Sequence, residues 1–246
     1  MSTVCLSPKE TSDALIQAAI KKASYTTDKR LLLSFMAGAY IALGAQGFNV
    51  AYGNTFLRAA VFPVGLMLIV LVGGELFTGN CLMTFGLMQK KISFNDYCKT
   101  LVQVWAGNLL GALFIVFLLY FGGAYDKAEM AQTAAAIAKA KTSLTFLQVL
   151  LRGILCNILV SLGVWLAATS KDTTGKLLGC WFPVMLFVFT GYEHVVANMF
   201  YLPLGALLDP SITITKIISN FIPATLGNYI GGGLLIPLIY NKVYYK

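Results

Sequence analysis

Two short stretches hold polar side chains of a kind that could do chemistry, and both lie inside otherwise apolar runs. The first has Glu75 and Asn80, and the second has Glu193, His194 and Asn198. A carboxylate in hydrocarbon costs several kcal/mol unless it is partnered. Two roles fit Glu75 and Glu193: bonding to amides exposed where a helix breaks, or direct contact with a passing solute. His194 is the one histidine in the chain, and its counterpart in the first stretch is Leu76, so the local backbone does not require it. A neutral imidazole can donate to an anion; a protonated one can hold an anion by charge or hand it a proton. The sequence has no HExxH, no GxSxG, no paired carboxylate beside His194 and no cofactor signature. An intramembrane enzyme using His194 as base is therefore the weaker reading. The five cysteines show no metal-ligand spacing and read as packing residues, so neither metal nor cofactor is expected.

The two stretches belong to a repeat. Gly73, Glu75 and Asn80 coincide with Gly191, Glu193 and Asn198 at an offset of 118, and Gly107, Asn108 and Gly111 with Gly227, Asn228 and Gly231 at 120. This implies a duplicated unit of three spans. An odd number of spans per copy forces the copies into opposite orientations, and inverted repeats with broken helices are the architecture of transport proteins. The four paired glycines also read as small-xxx-small packing faces.

The elements that carry these residues follow from composition. Of 246 residues, 58% are hydrophobic and 11% charged, against roughly 25% charged in a soluble domain. Apolar runs cover 31–52, 60–89, 97–122, 144–169, 177–208 and 216–241, each long enough for a span of about 20 residues. The second and fifth are too long for one straight helix and carry the polar stretches, so both read as broken helices. Twelve Lys and Arg residues, Lys246 among them, fall on the side of both termini and five on the other; Arg152 lies inside the fourth run. The positive-inside rule then puts both termini in the cytoplasm of a cell-membrane protein. The net charge of +8 forms no stripe interleaved with aromatics, which argues against nucleic acid. Ser7-Pro8-Lys9-Glu10 reads as a capping box opening an amphipathic helix over residues 8–24, laid on the membrane surface. The expected organisation is a cytoplasmic segment 1–30, a three-helix repeat 31–122, an external loop 123–143, a second repeat 144–241 and a cytoplasmic end 242–246.

The stretches Glu75-Leu-Phe-Thr-Gly-Asn80, Arg152-Gly-Ile-Leu-Cys-Asn157, Gly191-Tyr-Glu-His-Val-Val-Ala-Asn198-Met and Ile222-Pro-Ala-Thr-Leu-Gly-Asn228 resemble the formate/nitrite transporter family, from about residue 10 to 240. The resemblance implies an all-α, aquaporin-like protomer with one pore, in a homopentamer. It implies that His194 is the pore histidine beside Asn157 and Asn228, and that Thr78 approaches it on a mobile loop. It matches Leu66, Leu76 and Phe187 to an inner constriction, and Phe62, Phe77 and Val160 to an outer one. Lys141 matches a lysine at the extracellular mouth, and the N-terminal helix a cover on the cytoplasmic mouth. Bland roles stand beside these: Asn157 and Asn228 as helix-helix glue, Thr78 as a helix cap, the apolar residues as packing, and Lys141 as a solvated loop charge. The implied partners are a small monovalent anion, formate, nitrite or hydrosulfide, with or without a co-transported proton, and the lipid bilayer. An aquaporin-like neutral-solute channel is the rival within transport, but the half-helix tips read Gly79-Asn80-Cys81 and Ala197-Asn198-Met199 and not Asn-Pro-Ala. Proton transfer from His194 and plain anion conduction both remain open.

Overall fold

The computed structural model describes residues 5–245; Lys246, counted above among the cytoplasmic cations, lies outside them. Among the described residues every regular element is helical, apart from an isolated bridge between Cys5 and Ser170. The helices are α1 Pro8–Ala23, α2 Thr27–Val50, α3 Thr55–Val61, α4 Val64–Leu71, α5 Phe77–Asn80, α6 Thr84–Met88, α7 Phe94–Phe121, α8 Ala128–Thr142, α9 Phe146–Thr169, α10 Thr173–Phe189, α11 Val195–Leu208, α12 Ile214–Asn228 and α13 Ile236–Tyr244. A 3-10 turn, Cys81–Met83, joins α5 to α6, and a π-helical segment, Tyr229–Leu235, joins α12 to α13.

Four helices are long and apolar enough to cross a membrane: Thr27–Val50, Phe94–Phe121, Phe146–Thr169 and Ile214–Tyr244. Side-chain caps fix the entries of three of them: Ser93 on α7, Thr213 on α12, and a Thr145/Gln148 capping box on α9. Their outward faces stay apolar, with Leu32, Phe94, Val102 and Phe121 largely exposed. In water such a surface would aggregate, while hydrocarbon suits it. Gly107 and Gly111 bring α7 against the backbone of α2, and Gly227 and Gly231 bring α12 and its π-helical extension against α9; a side chain at any of the four would collide.

The other two long runs are broken near Glu75 and Glu193. Helix α4 ends at Leu71 and α5 begins at Phe77; α10 ends at Phe189 and α11 begins at Val195. Each break opens on a glycine with positive φ, Gly73 at +109° and Gly191 at +71°, a conformation strained for residues with a Cβ.

Two elements differ from the sequence reading. The stretch 123–143, expected as a loop, contains α8, whose Ala134 and Ala138 are buried and whose Ala138 lies against Gly205 of α11. Its alanine-rich sequence is too polar for a span but favours a helix. The N-terminal helix has the expected capping box, but its apolar face is turned to protein. Its apolar residues Leu15 and Ile16 pack with Leu82, Phe85, Trp165 and Ile236 of the same chain, so the apolar face that suggested lipid is covered by protein.

Candidate functional site

The two breaks are built to one plan. At the first, the Asn108 side chain of α7 accepts the N–H of Phe77 at 2.9 Å and donates to the carbonyls of Ser34 and Glu75 at 2.8 and 2.9 Å. At the second, Asn228 accepts the N–H of Val195 at 2.8 Å and donates to the carbonyls of Gly153 and Glu193, both at 2.8 Å. Each asparagine thus satisfies the first amide of a half-helix and the carbonyl of the glutamate in the break, which lies outside any helix, and ties both to a carbonyl inside a long helix, Ser34 of α2 or Gly153 of α9. The carboxylates do something else. Glu75 accepts from Asn80 Nδ2 at 2.6 Å and from Lys22 Nζ at 2.8 Å. Glu193 accepts from Asn198 Nδ2 at 2.7 Å and from Lys141 Nζ at 2.9 Å, with Asn220 close by at 3.4 Å. The expectation that these carboxylates bond the exposed backbone amides is corrected: asparagines serve the amides, and each carboxylate joins a lysine to the body of its half-helix.

His194 and Thr78 stand where the two half-helices meet. Thr78 Oγ1 and His194 Nε2 are 2.9 Å apart, and both residues are buried. His194 is also the N-cap of α11, its Nδ1 accepting the N–H of Ala197 at 3.1 Å. An Nδ1 that accepts carries no proton, so the neutral ring bears its hydrogen on Nε2 and donates to Thr78. Thr78 makes no helix cap, since α5 has Leu76 at that position without a side-chain bond. The Phe187 ring stacks on the imidazole, with centroids 5.6 Å apart and planes at 26°. Asn157 Nδ2 donates to the carbonyls of Asn228 at 2.6 Å and Thr78 at 3.3 Å, while its Oδ1 is buried without a partner among the described residues. Asn157 therefore links the two breaks. All three hydrogen bonds of Asn228 go to backbone, so its side chain holds the frame and has no donor left to offer an anion.

Two cavities approach this contact from different sides. One, of about 240 Å³, is lined by Lys141, Glu193, His194, Phe62, Phe187 and Tyr201. The other, of about 560 Å³, is lined by Lys22, Glu75, Asn80, Leu66, Leu76 and Gly79. No residue lines both. The residues expected at the two constrictions are divided among these walls, a third groove and the core. Phe187 pairs with Phe62, edge to face at 5.7 Å, on the Lys141 side. Leu66 and Leu76 form the wall of the Lys22 side. Phe77, itself buried, lines an apolar groove with Trp105 and Phe221, and Val160 is buried on α9.

Residues 9–242 match the formate/nitrite transporter family. The chain belongs to that family. It is 38% identical to a probable formate transporter of Methanothermobacter thermautotrophicus, over 98% of this chain and 97% of that one. Its fold is similar to that of an ion channel of the FNT family, with a TM-score of 0.88 and 30% identity over 95% of this chain and 98% of the other. It is also similar to a pentameric formate channel solved with formate bound, with a TM-score of 0.78 and 30% identity over 89% of this chain and 98% of that one. These relatives are transporters and channels, and this member of the family is a membrane protein and not an enzyme.

Within this family member, three side chains at the site had drawn no functional reading from the sequence. Lys22 read only as part of an amphipathic pattern, yet it mirrors Lys141: each lysine reaches the glutamate of its own break. Asn108 read as a packing landmark beside Gly107, although its match with Asn228 pointed to a shared task. Asn220 carried no signal; it becomes visible only when α12 brings it to Asn198, 2.8 Å away.

Proposed function

We propose that this protein is a channel or transporter for small monovalent anions of weak acids, in the size range of formate, nitrite and hydrosulfide, with the solute passing between the two cavities at His194. The carrying observation is the pairing of Thr78 with His194 at 2.9 Å between two cavities that share no lining residue. The resting molecule is closed there, and opening requires the Thr78 segment to leave the imidazole. The freed Nε2–H is then a donor aimed at the path, and an anion can take the place of the threonine hydroxyl.

The same geometry gives the proton-linked route a structural cost. A ring protonated on both nitrogens cannot accept from Ala197, so taking up a proton uncaps α11. Losing an N-cap contact costs roughly 0.5–2 kcal/mol, small enough to be offset by an anion held against the imidazolium in an apolar site. Protonation, uncapping and anion entry thereby become one linked event, and the weak acid can cross the apolar zones uncharged.

The duplicated break frames support an inverted repeat of three spans per copy in an aquaporin-like protomer. The excess of Lys and Arg on one side supports cytoplasmic termini and a place in the cell membrane. The likeness to a pentameric channel supports a homopentamer with a pore in each protomer. The deciding experiment measures labelled formate, nitrite and hydrosulfide flux beside water and glycerol flux in proteoliposomes. Anion flux above that of empty liposomes is expected; water or glycerol flux without anion flux would overturn the reading.

A further inference from the structure

The Lys141-lined cavity has three formally charged side chains in its wall: Lys141, Glu193 and Arg152. Lys141 and Glu193 form an ion pair at 2.9 Å, with side chains 16% and 2% exposed. At any distance beyond a few ångströms the pair is a dipole without net charge. Arg152 differs. It sits in the second turn of α9 and is exposed, and its guanidinium makes no hydrogen bond or ion pair among the described residues. The surplus positive charge of this cavity is therefore that of Arg152. The Lys22-lined cavity follows the same pattern: Lys22 is neutralised by Glu75 at 2.8 Å, while Lys29 and Lys176 stand in the wall without an ion pair among the described residues.

We infer that Arg152 is the anion-collecting residue of the Lys141-lined cavity and sets the concentration at which this end of the path fills. The inference rests on the anion reading above. The charge of Lys141 is already neutralised by Glu193 at 2.9 Å, and giving it up wholly to an anion would strand a buried carboxylate, which is strongly unfavourable. Arg152 displaces nothing when it binds. Its fork suits the two oxygens of a carboxylate or of nitrite, and the walls beside it, Phe48, Phe62 and Phe187, are apolar and of low dielectric, which focuses its field into the cavity. Its main chain is tied to the same site, since the Arg152 carbonyl accepts the N–H of Glu193 at 3.4 Å. The backbone that carries the cation is thereby anchored to the break that carries His194.

The test is labelled-formate flux against formate concentration, in liposomes holding the pentamer in one orientation, with formate added on the Arg152 side. Arg152→Gln should raise the half-saturating concentration roughly tenfold, the low end of electrostatic focusing by a charged cleft, and leave the plateau flux unchanged. Arg152→Lys should restore most of the loss. Raising ionic strength should raise half-saturation in the native protein and have little effect in Arg152→Gln. An unchanged half-saturation and salt response in Arg152→Gln, beside normal native flux, would overturn this inference alone. Absence of anion flux in the native protein would overturn the proposed function and this inference with it. A pentamer lost in Arg152→Gln and regained in Arg152→Lys would make Arg152 an assembly residue, and flux in the native protein that ignores salt would independently count against collection.

Discussion

Lys22 on α1 donates to Glu75 at 2.8 Å and so ties the N-terminal helix to the first helix break. The two residues are 53 positions apart, and the same ammonium also reaches Asn80 Oδ1 at 2.7 Å. The contact makes α1 a wall of one cavity, and it makes the carboxylate of Glu75 tolerable at 4% exposure. Docking of the helix and integrity of the break therefore depend on each other.

Removing one partner of such a pair costs more than removing both. Lys22→Met strands a buried carboxylate, and a loss of about 2 kcal/mol is expected, below the roughly 3–5 of a fully buried pair because the Lys22 side chain is 25% exposed. Adding Glu75→Gln should recover more than half of it, since an amide oxygen still accepts from Asn80. Thermal unfolding of the four members of this cycle in detergent is the measurement. A double variant as unstable as the sum of the singles would show that the pair is not coupled.

Asn108→Ala and Asn228→Ala should damage the protein to a similar degree. Each strips its partners from one half-helix amide and two carbonyls, and a buried polar group left unpaired costs about 1–3 kcal/mol. Both variants should show a clear fall in pentamer melting temperature. A fall confined to one would mean that the two frames do not share the same task, despite their matching bonds.

Much of this frame was legible in the sequence because the chain states it twice. Gly73, Glu75 and Asn80 repeat as Gly191, Glu193 and Asn198, and a duplicated polar cluster inside an apolar run has few explanations. The partners were less legible. Nothing in a single sequence says that Lys22 will meet Glu75, because its place on a polar helix face is equally well served by solvent. The outcome for α8 was hidden for a different reason. Its alanine-rich, lysine-bearing sequence is ambiguous between loop and surface helix until α11 presents Gly205 to Ala138. The constrictions are not legible in the residues themselves because Phe62, Phe77 and Phe187 are chemically alike, and only the turn of each backbone decides which space each ring enters.

The clasp on the N-terminal helix should fail only in acid. Glu10 accepts the N–H of Ser7 at 2.7 Å, and hydrogen bonds from Ser7 hold its carboxyl below the usual value. Asp13 is held low by Lys9 first and by Tyr245 second, whose hydroxyl lies 2.6 Å away. Both folded values lie below the unfolded ones, so the stabilisation is present above about pH 4 and is lost as pH falls through the folded values. Hydrogen-exchange protection of α1, corrected for intrinsic rates, should be flat from pH 7 to about 5 and fall only below about 4. Protection that falls between pH 7 and 6 would require a different titrating group to hold α1.

His194 gives the sharpest test of the transport mechanism, because it performs two separable tasks. Its Nδ1 caps α11 through Ala197, and its Nε2–H faces Thr78. Asparagine keeps both kinds of group: it is among the best N-cap residues, and its amide supplies a donor, one bond shorter than the imidazole Nε2. It cannot take up and release a proton near neutrality, which the imidazole can. His194→Asn should therefore fold, form the pentamer and still carry labelled formate down its gradient, while proton-coupled uptake and the pH response disappear. His194→Phe removes donor and cap together, and should lower both modes to the level of empty liposomes. Paired liposome assays, one following internal pH and one following labelled formate, read the two tasks apart. If His194→Asn moves formate and protons together at native rates, the histidine serves only as a hydrogen-bond donor, and the linkage of protonation, uncapping and anion entry is wrong.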